Sequence, residues 1–112
     1  SIALIPIHGP IGPGLDASAD QVVPIIERAC RSKKVEALVL DINSGGGGPA
    51  EAERIMASID RCRKGSDDKP GKKVYALISG TGASAAYMVA MRADRIYAGR
   101  YSLVGSIGTI AG

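Results

Sequence analysis

Apolar and polar positions change rhythm several times along the chain, and each change marks an element. Residues 2–7 form a β-prone apolar run and predict a strand. Residues 8–14 are so rich in Gly and Pro that they must form a loop. Across 16–32, Val22, Val23, Ile25, Ile26 and Ala29 recur at helical spacing. Pro24 falls inside that run, so the helix is expected to start near 21–23, with Pro24 in its first turn. Residues 35–42 are an apolar run of strand length, the pattern of a strand covered on both faces. A glycine loop over 43–48 leads into a helix over 49–64, with Ala52, Ile55, Met56 and Ile59 on one face. After a polar linker at 65–73, residues 74–79 predict a third strand. Residues 80–82 turn into a small-residue helix over 83–93, and 95–98 read as a short strand. Residues 101–112 are a glycine-punctuated tail. Strand and helix thus alternate, which predicts an α/β fold with a mostly parallel sheet, right-handed crossovers and flanking helices.

Composition narrows this picture. At 112 residues the chain holds one domain at most, over 1–112, and the absence of Met at position 1 suggests a truncated piece of a longer protein. A hydrophobic content of 46% argues against disorder, and with no Phe or Trp the core must be aliphatic. The net charge of +3 is small, and no basic stripe is interleaved with aromatics, so a nucleic-acid partner is not expected. The densest basic stretches, 61–64 and 69–73, read as a solvated helix end and a loop. No apolar run approaches the ~20 residues that span a bilayer, so any membrane anchor would lie outside this segment. Cys30 and Cys62 form no CxxC pair and have a single His for company, so no metal site is expected. They read as two small, partly buried thiols, with a disulfide left open.

Ligands of such sheets bind beyond the carboxyl ends of the strands. Two glycine-rich turns lie there: Asn43-Ser44-Gly45-Gly46-Gly47-Gly48, and Gly80-Thr81-Gly82-Ala83-Ser84-Ala85-Ala86. Each offers backbone N–H groups at a helix start, suited to a phosphate or to the oxyanion of acyl transfer. Gly80-x-Gly82-x-x-Ala85 fits a loosened dinucleotide fingerprint, but about 20 residues on the sequence has no acid, and Asp94 comes too early. The glycines at 45–48 lead into Pro49 rather than the Lys-Ser/Thr of a P-loop. No cofactor is expected.

Ser84 is the sharper candidate. Ala83, Ala85 and Ala86 leave room for a substrate backbone, and a helix start favours a developing alkoxide. The local alternative is a helix N-cap. A serine nucleophile needs a base. The only imidazole, His8, reads as a loop residue. Lys33, Lys34, Lys64, Lys69, Lys72 and Lys73 all sit in polar segments, where the desolvation that makes lysine a base is not expected. The base is therefore expected beyond Gly112 or on another chain.

Four stretches, taken in order, resemble the signal peptide peptidase A (SppA) family of Ser-Lys peptidases. They are Ile5-Pro6-Ile7-His8-Gly9-Pro10-Ile11, Leu38 through Asn43-Ser44-Gly45-Gly46-Gly47, Ala83-Ser84-Ala85-Ala86-Tyr87 followed by Ala93-Asp94-Arg95-Ile96, and Gly105-Ser106-Ile107-Gly108. The resemblance implies a Clp protease/crotonase-like fold of ββα repeats and peptide hydrolysis through an acyl-enzyme. It implies Ser84 as nucleophile, Gly47 and Ala85 as oxyanion donors, and Ser106 as the residue orienting a lysine base. Gly46 and Gly82 would line the substrate. Family members assemble into ring-like oligomers, which implies homo-oligomers here. Two departures stand out. Gly45 replaces the motif proline, and Ala85-Ala86 replaces the Gly-Gly of many signal peptide peptidases. The latter is closer to the phage and prophage capsid-assembly branch. The substrate is thus left open between signal-peptide remnants at a membrane and scaffold protein in a procapsid. The rival readings are a crotonase-type acyl-CoA hydratase or isomerase and a non-catalytic assembly module of the same fold.

Overall fold

The computed structural model describes residues 1–99, 102–104 and 109–111. Strand β1 spans Ile2–His8, helix α1 Ala19–Arg31, β2 Ala37–Ser44, α2 Pro49–Lys64, β3 Lys73–Gly82, α3 Ala85–Ala90 and β4 Arg95–Ala98. Two short strands, β5 (Ser102–Val104) and β6 (Thr109–Ala111), fall within the stretch read as a tail.

Strands β1, β2 and β3 pair in parallel in that order. The free edge of β3 is shared: β4 pairs with its first half and β5 with its end, both parallel. β6 closes the edge antiparallel to β5. The two-residue period of the strands sets one face inward. Ile5, Leu40 and Ala76 form one row across the sheet, and Ile7, Ile42 and Ile78 the next, all fully buried. Val22, Ile26, Ile55, Ile59, Ala86 and Val89 from the three helices complete the same aliphatic core. With β1, β2 and β3 parallel and adjacent, α1, α2 and α3 all pack on that single face. The expectation that β2 is covered on both faces is therefore corrected. Its alternate positions Val39 and Asp41 are only half-buried, and on neighbouring strands Leu4 and Leu77 are exposed.

Helix α1 begins earlier than expected. Ser18 caps it by accepting the Gln21 N–H, and Ala19 opens it, so Pro24 lies inside the helix rather than in its first turn. Helix α2 has the expected bounds and opens with Pro49. Helix α3 is shorter than expected, because β3 continues through the glycine turn by pairing Gly82 with Ser44 and Val104. Cys30 and Cys62 lie in the last turns of α1 and α2 and are joined by a disulfide, with Cα atoms 5.7 Å apart. The two free thiols favoured by the sequence are thus replaced by a bridge. Successive parallel crossovers bring the C-terminal ends of neighbouring helices side by side, which sequence spacing does not reveal.

Candidate active site

Two turns meet beyond the carboxyl ends of β2 and β3. The first, after β2, is set by Ser44, whose buried hydroxyl accepts the Gly46 N–H at 3.1 Å. This turn is held from the other side by Ile11. The Ile11 N–H donates to the Gly46 carbonyl at 3.0 Å, and the Gly48 N–H donates to the Ile11 carbonyl at 2.8 Å. The backbone of Ile11 thus runs against Gly47 so closely that a Cβ at Gly47 would overlap its carbonyl oxygen.

The second turn, after β3, carries Ser84. Its φ of 53° and ψ of −126° lie in a region that side chains avoid. Ser84 occupies the N-cap position of α3, yet its hydroxyl makes no cap hydrogen bond. The capping role that its local sequence allows is therefore not realised. Ser84 is exposed, with Ala85 and Ala86 buried behind it. Gly46 packs on this turn. A Cβ there would sit 2.8 Å from Ala85 N, 2.9 Å from Ala83 O and 2.9 Å from the Ser84 Cβ. With φ of +97°, Gly46 is also in a conformation suited to glycine. Among the described residues, neither the Gly47 N–H nor the Ala85 N–H has a hydrogen-bond acceptor. Ala85 is the first residue of α3, where an N–H has no partner within the helix. The two turns therefore bring a free hydroxyl and two unpaired N–H groups together around Gly46.

Gly82 is buried against Ile78 at the end of β3. Ser106, read as the residue that orients a base, lies outside the described residues. His8 closes β1 rather than lying in the following loop, and its Nε2 is 3.0 Å from Asp41 Oδ2. The Ser79 hydroxyl donates to Asp41 Oδ1 at 2.9 Å. These three side chains stand on the open face of the sheet, with no bond to Ser84. The lysines lie at the opposite end. Lys33 and Lys34 follow α1, Lys64 ends α2, and Lys69, Lys72 and Lys73 lead into or open β3. The ten residues of β3 separate that end from Ser84 by about 30 Å. Lys72 is engaged elsewhere, its Nζ donating to the Ala29 and Ser32 carbonyls at the end of α1.

Known proteins resemble the chain in both sequence and fold. Residues 66–112 match the family model described as peptidase family S49. Protease 4 of Haemophilus influenzae is 30% identical over 96% of this chain and 17% of its own length. A Na(+)/H(+) antiporter NhaA of Brucella melitensis is 31% identical over 98% of this chain and 15% of its own. The head-tail preconnector protein GP5 of Enterobacteria phage P21 is 33% identical over 81% and 17%. The chain thus spans a small part of the relatives it matches. Among solved structures, ClpP1 of Listeria monocytogenes (N165D mutant) superposes with a TM-score of 0.61 at 22% identity, covering 80% of this chain and 46% of that one. A probable enoyl-CoA hydratase of Mycobacterium smegmatis gives 0.68 at 21% identity, covering 95% and 48%. The fold is the Clp/crotonase type that the resemblance implies, and the chain is related to the S49 peptidases.

Proposed function

We propose, from this relation to the S49 peptidases, that the chain carries the nucleophile and oxyanion hole of a serine endopeptidase. The observation that carries the reading is Ser84, held at φ of 53° with its hydroxyl uncapped and exposed. Ser84 Oγ attacks the carbonyl carbon of a peptide and forms an ester as the C–N bond breaks. A base takes the hydroxyl proton and passes it to the leaving amine, and water then hydrolyses the ester. The Gly47 and Ala85 N–H groups stabilise the negative oxygen of each tetrahedral intermediate. The base is a lysine supplied from outside this stretch, with Ser106 orienting it, since every lysine here lies at the far end of the sheet. The chain forms one domain of a larger, homo-oligomeric peptidase. Gly46 and Gly82 are packed against Ser84 and Ile78 and shape the turns rather than line the substrate, so an extended, apolar peptide, whether a signal-peptide remnant or a scaffold protein, approaches from the exposed side of Ser84.

The fold neighbours favour one other reading, an acyl-CoA enzyme using the same pair of N–H groups on a thioester oxygen. The two differ in what Ser84 does. The native full-length protein is expected to hydrolyse an apolar peptide substrate, and Ser84→Ala to abolish turnover. Turnover unchanged in Ser84→Ala, or tight binding of an acyl-CoA thioester analogue with no peptide hydrolysis, would reject the peptidase. The 112-residue chain on its own is expected to be inactive.

A further inference from the structure

We infer that Asn43 is a positioning residue that locks the nucleophile turn to the oxyanion loop, an inference that rests on the reading of Ser84 above. The register between β2 and β3 breaks beside the site. Ile42 pairs with Ile78 and Ser44 with Gly82, so β3 advances four residues where β2 advances two. Such an irregularity leaves backbone groups of the longer strand without ladder partners. The Asn43 side chain fills the gap, its Oδ1 accepting the Thr81 N–H at 2.9 Å. The carboxamide lies directly over Gly80, where any Cβ would overlap it. The Asn43 carbonyl accepts the Gly9 N–H at 2.9 Å, fixing the third segment that borders the site. The Ser44 carbonyl then accepts the Ala83 N–H at 3.2 Å.

The hydrogen bonds from the β2 end to the nucleophile turn therefore run through residues 43 and 44. Of these, the Asn43 carboxamide is the side-chain tie. Its acceptor reaches a backbone N–H three residues before Ser84. A strained conformation such as that of Ser84 persists only where its surroundings over-determine it. Asn43 touches none of the reacting atoms, so its effect is exerted through Ser84 and the two N–H donors. A displacement of about 1 Å there costs on the order of 100-fold in rate.

The test uses the native full-length protein, with kcat expressed per Ser84 titrated by a fluorophosphonate. Asn43→Ala is expected to lower kcat on the order of 100-fold with KM little changed. Asn43→Asp, which keeps an acceptor oxygen in place, is expected to recover most of that loss. Gly80→Ala, which pushes the carboxamide aside without altering residue 43, is expected to reproduce it. A merely structural role would lower the melting temperature and the number of titratable sites, but not the rate at each site. Asn43→Ala or Gly80→Ala turning over at the wild-type rate per site would overturn the inference and leave the Ser84 reading standing. So would an Asn43→Asp protein no faster than Asn43→Ala. If Asn43→Ala fails to fold, Gly80→Ala and Asn43→Asp carry the test. Wild-type protein that takes no label at Ser84 would overturn the nucleophile reading itself.

Discussion

Ser84 holds φ of 53° and ψ of −126°, a region that glycine enters freely and serine does not. If that strain is maintained for chemistry, relieving it should stabilise the chain. Ser84→Gly is expected to raise unfolding free energy by about 1 kcal/mol over Ser84→Ala, which loses the hydroxyl and keeps the strain. Denaturant melts of the two variants decide it, and equal stabilities would contradict the strained turn. The small neighbours of Ser84 made it visible in the sequence, but not its backbone. An N-cap and a nucleophile turn share the same local residues. What separates them is Gly46, some forty positions earlier, packing against Ala83, Ser84 and Ala85. Asn43 is indistinguishable from its loop neighbours in the sequence, because its bond to Thr81 exists only once β2 and β3 lie side by side.

At the level of elements, helix ends and their ties carry the testable consequences. The disulfide joins residues 32 apart. In the chain-entropy view, closing a loop of that length contributes about 3–4 kcal/mol. Thiol titration of the unreduced, denatured protein should therefore find no free thiol, and reduction should shift its urea midpoint down. Two free thiols would contradict the bridge. Asp94 ties the start of β3 to α2 and to the residues before β4. Its Oδ2 accepts the Val74 N–H at 2.8 Å, and its Oδ1 pairs with Arg63 at 2.9 Å. Burial works to raise its pKa, but the Val74 and Arg63 bonds and the nearby Lys73 outweigh it and hold the carboxyl below the ordinary aspartate value. A carboxyl lowered on folding stabilises fully above its ordinary value. That contribution is lost as pH falls through the folded pKa. Stability is thus expected to fall more steeply below about pH 4 in the wild type than in Asp94→Asn. Parallel slopes in urea melts across that range would remove Asp94 from the account.

Periodicity located the elements well where side chains face one way. Helix α2 and strand β4 have the bounds that spacing predicts. It failed where tertiary bonds decide the ends. Ser18 capping set the start of α1, and pairing with β2 and β5 carried β3 through its glycines.

For the whole molecule, the decisive fact is asymmetry. All three helices described cover one face of the sheet. On the other face, Val39, Tyr75, Leu77 and Tyr97 line a shallow apolar cavity of about 260 Å³. The mostly parallel sheet was legible in the alternation of elements, whereas the bare face was not. An apolar run such as 35–42 reads the same whether one face or two are covered. The lysines and the serine occupy opposite ends of this asymmetric layer, so the chemistry proposed for Ser84 requires a base from elsewhere. That Ser84 is the nucleophile is tested most directly by labelling the native full-length protein, folded and assembled, with a fluorophosphonate and mapping the modified peptide. The account predicts stoichiometric modification of Ser84, absent in Ser84→Ala. A label on another residue, or none at all, would contradict it.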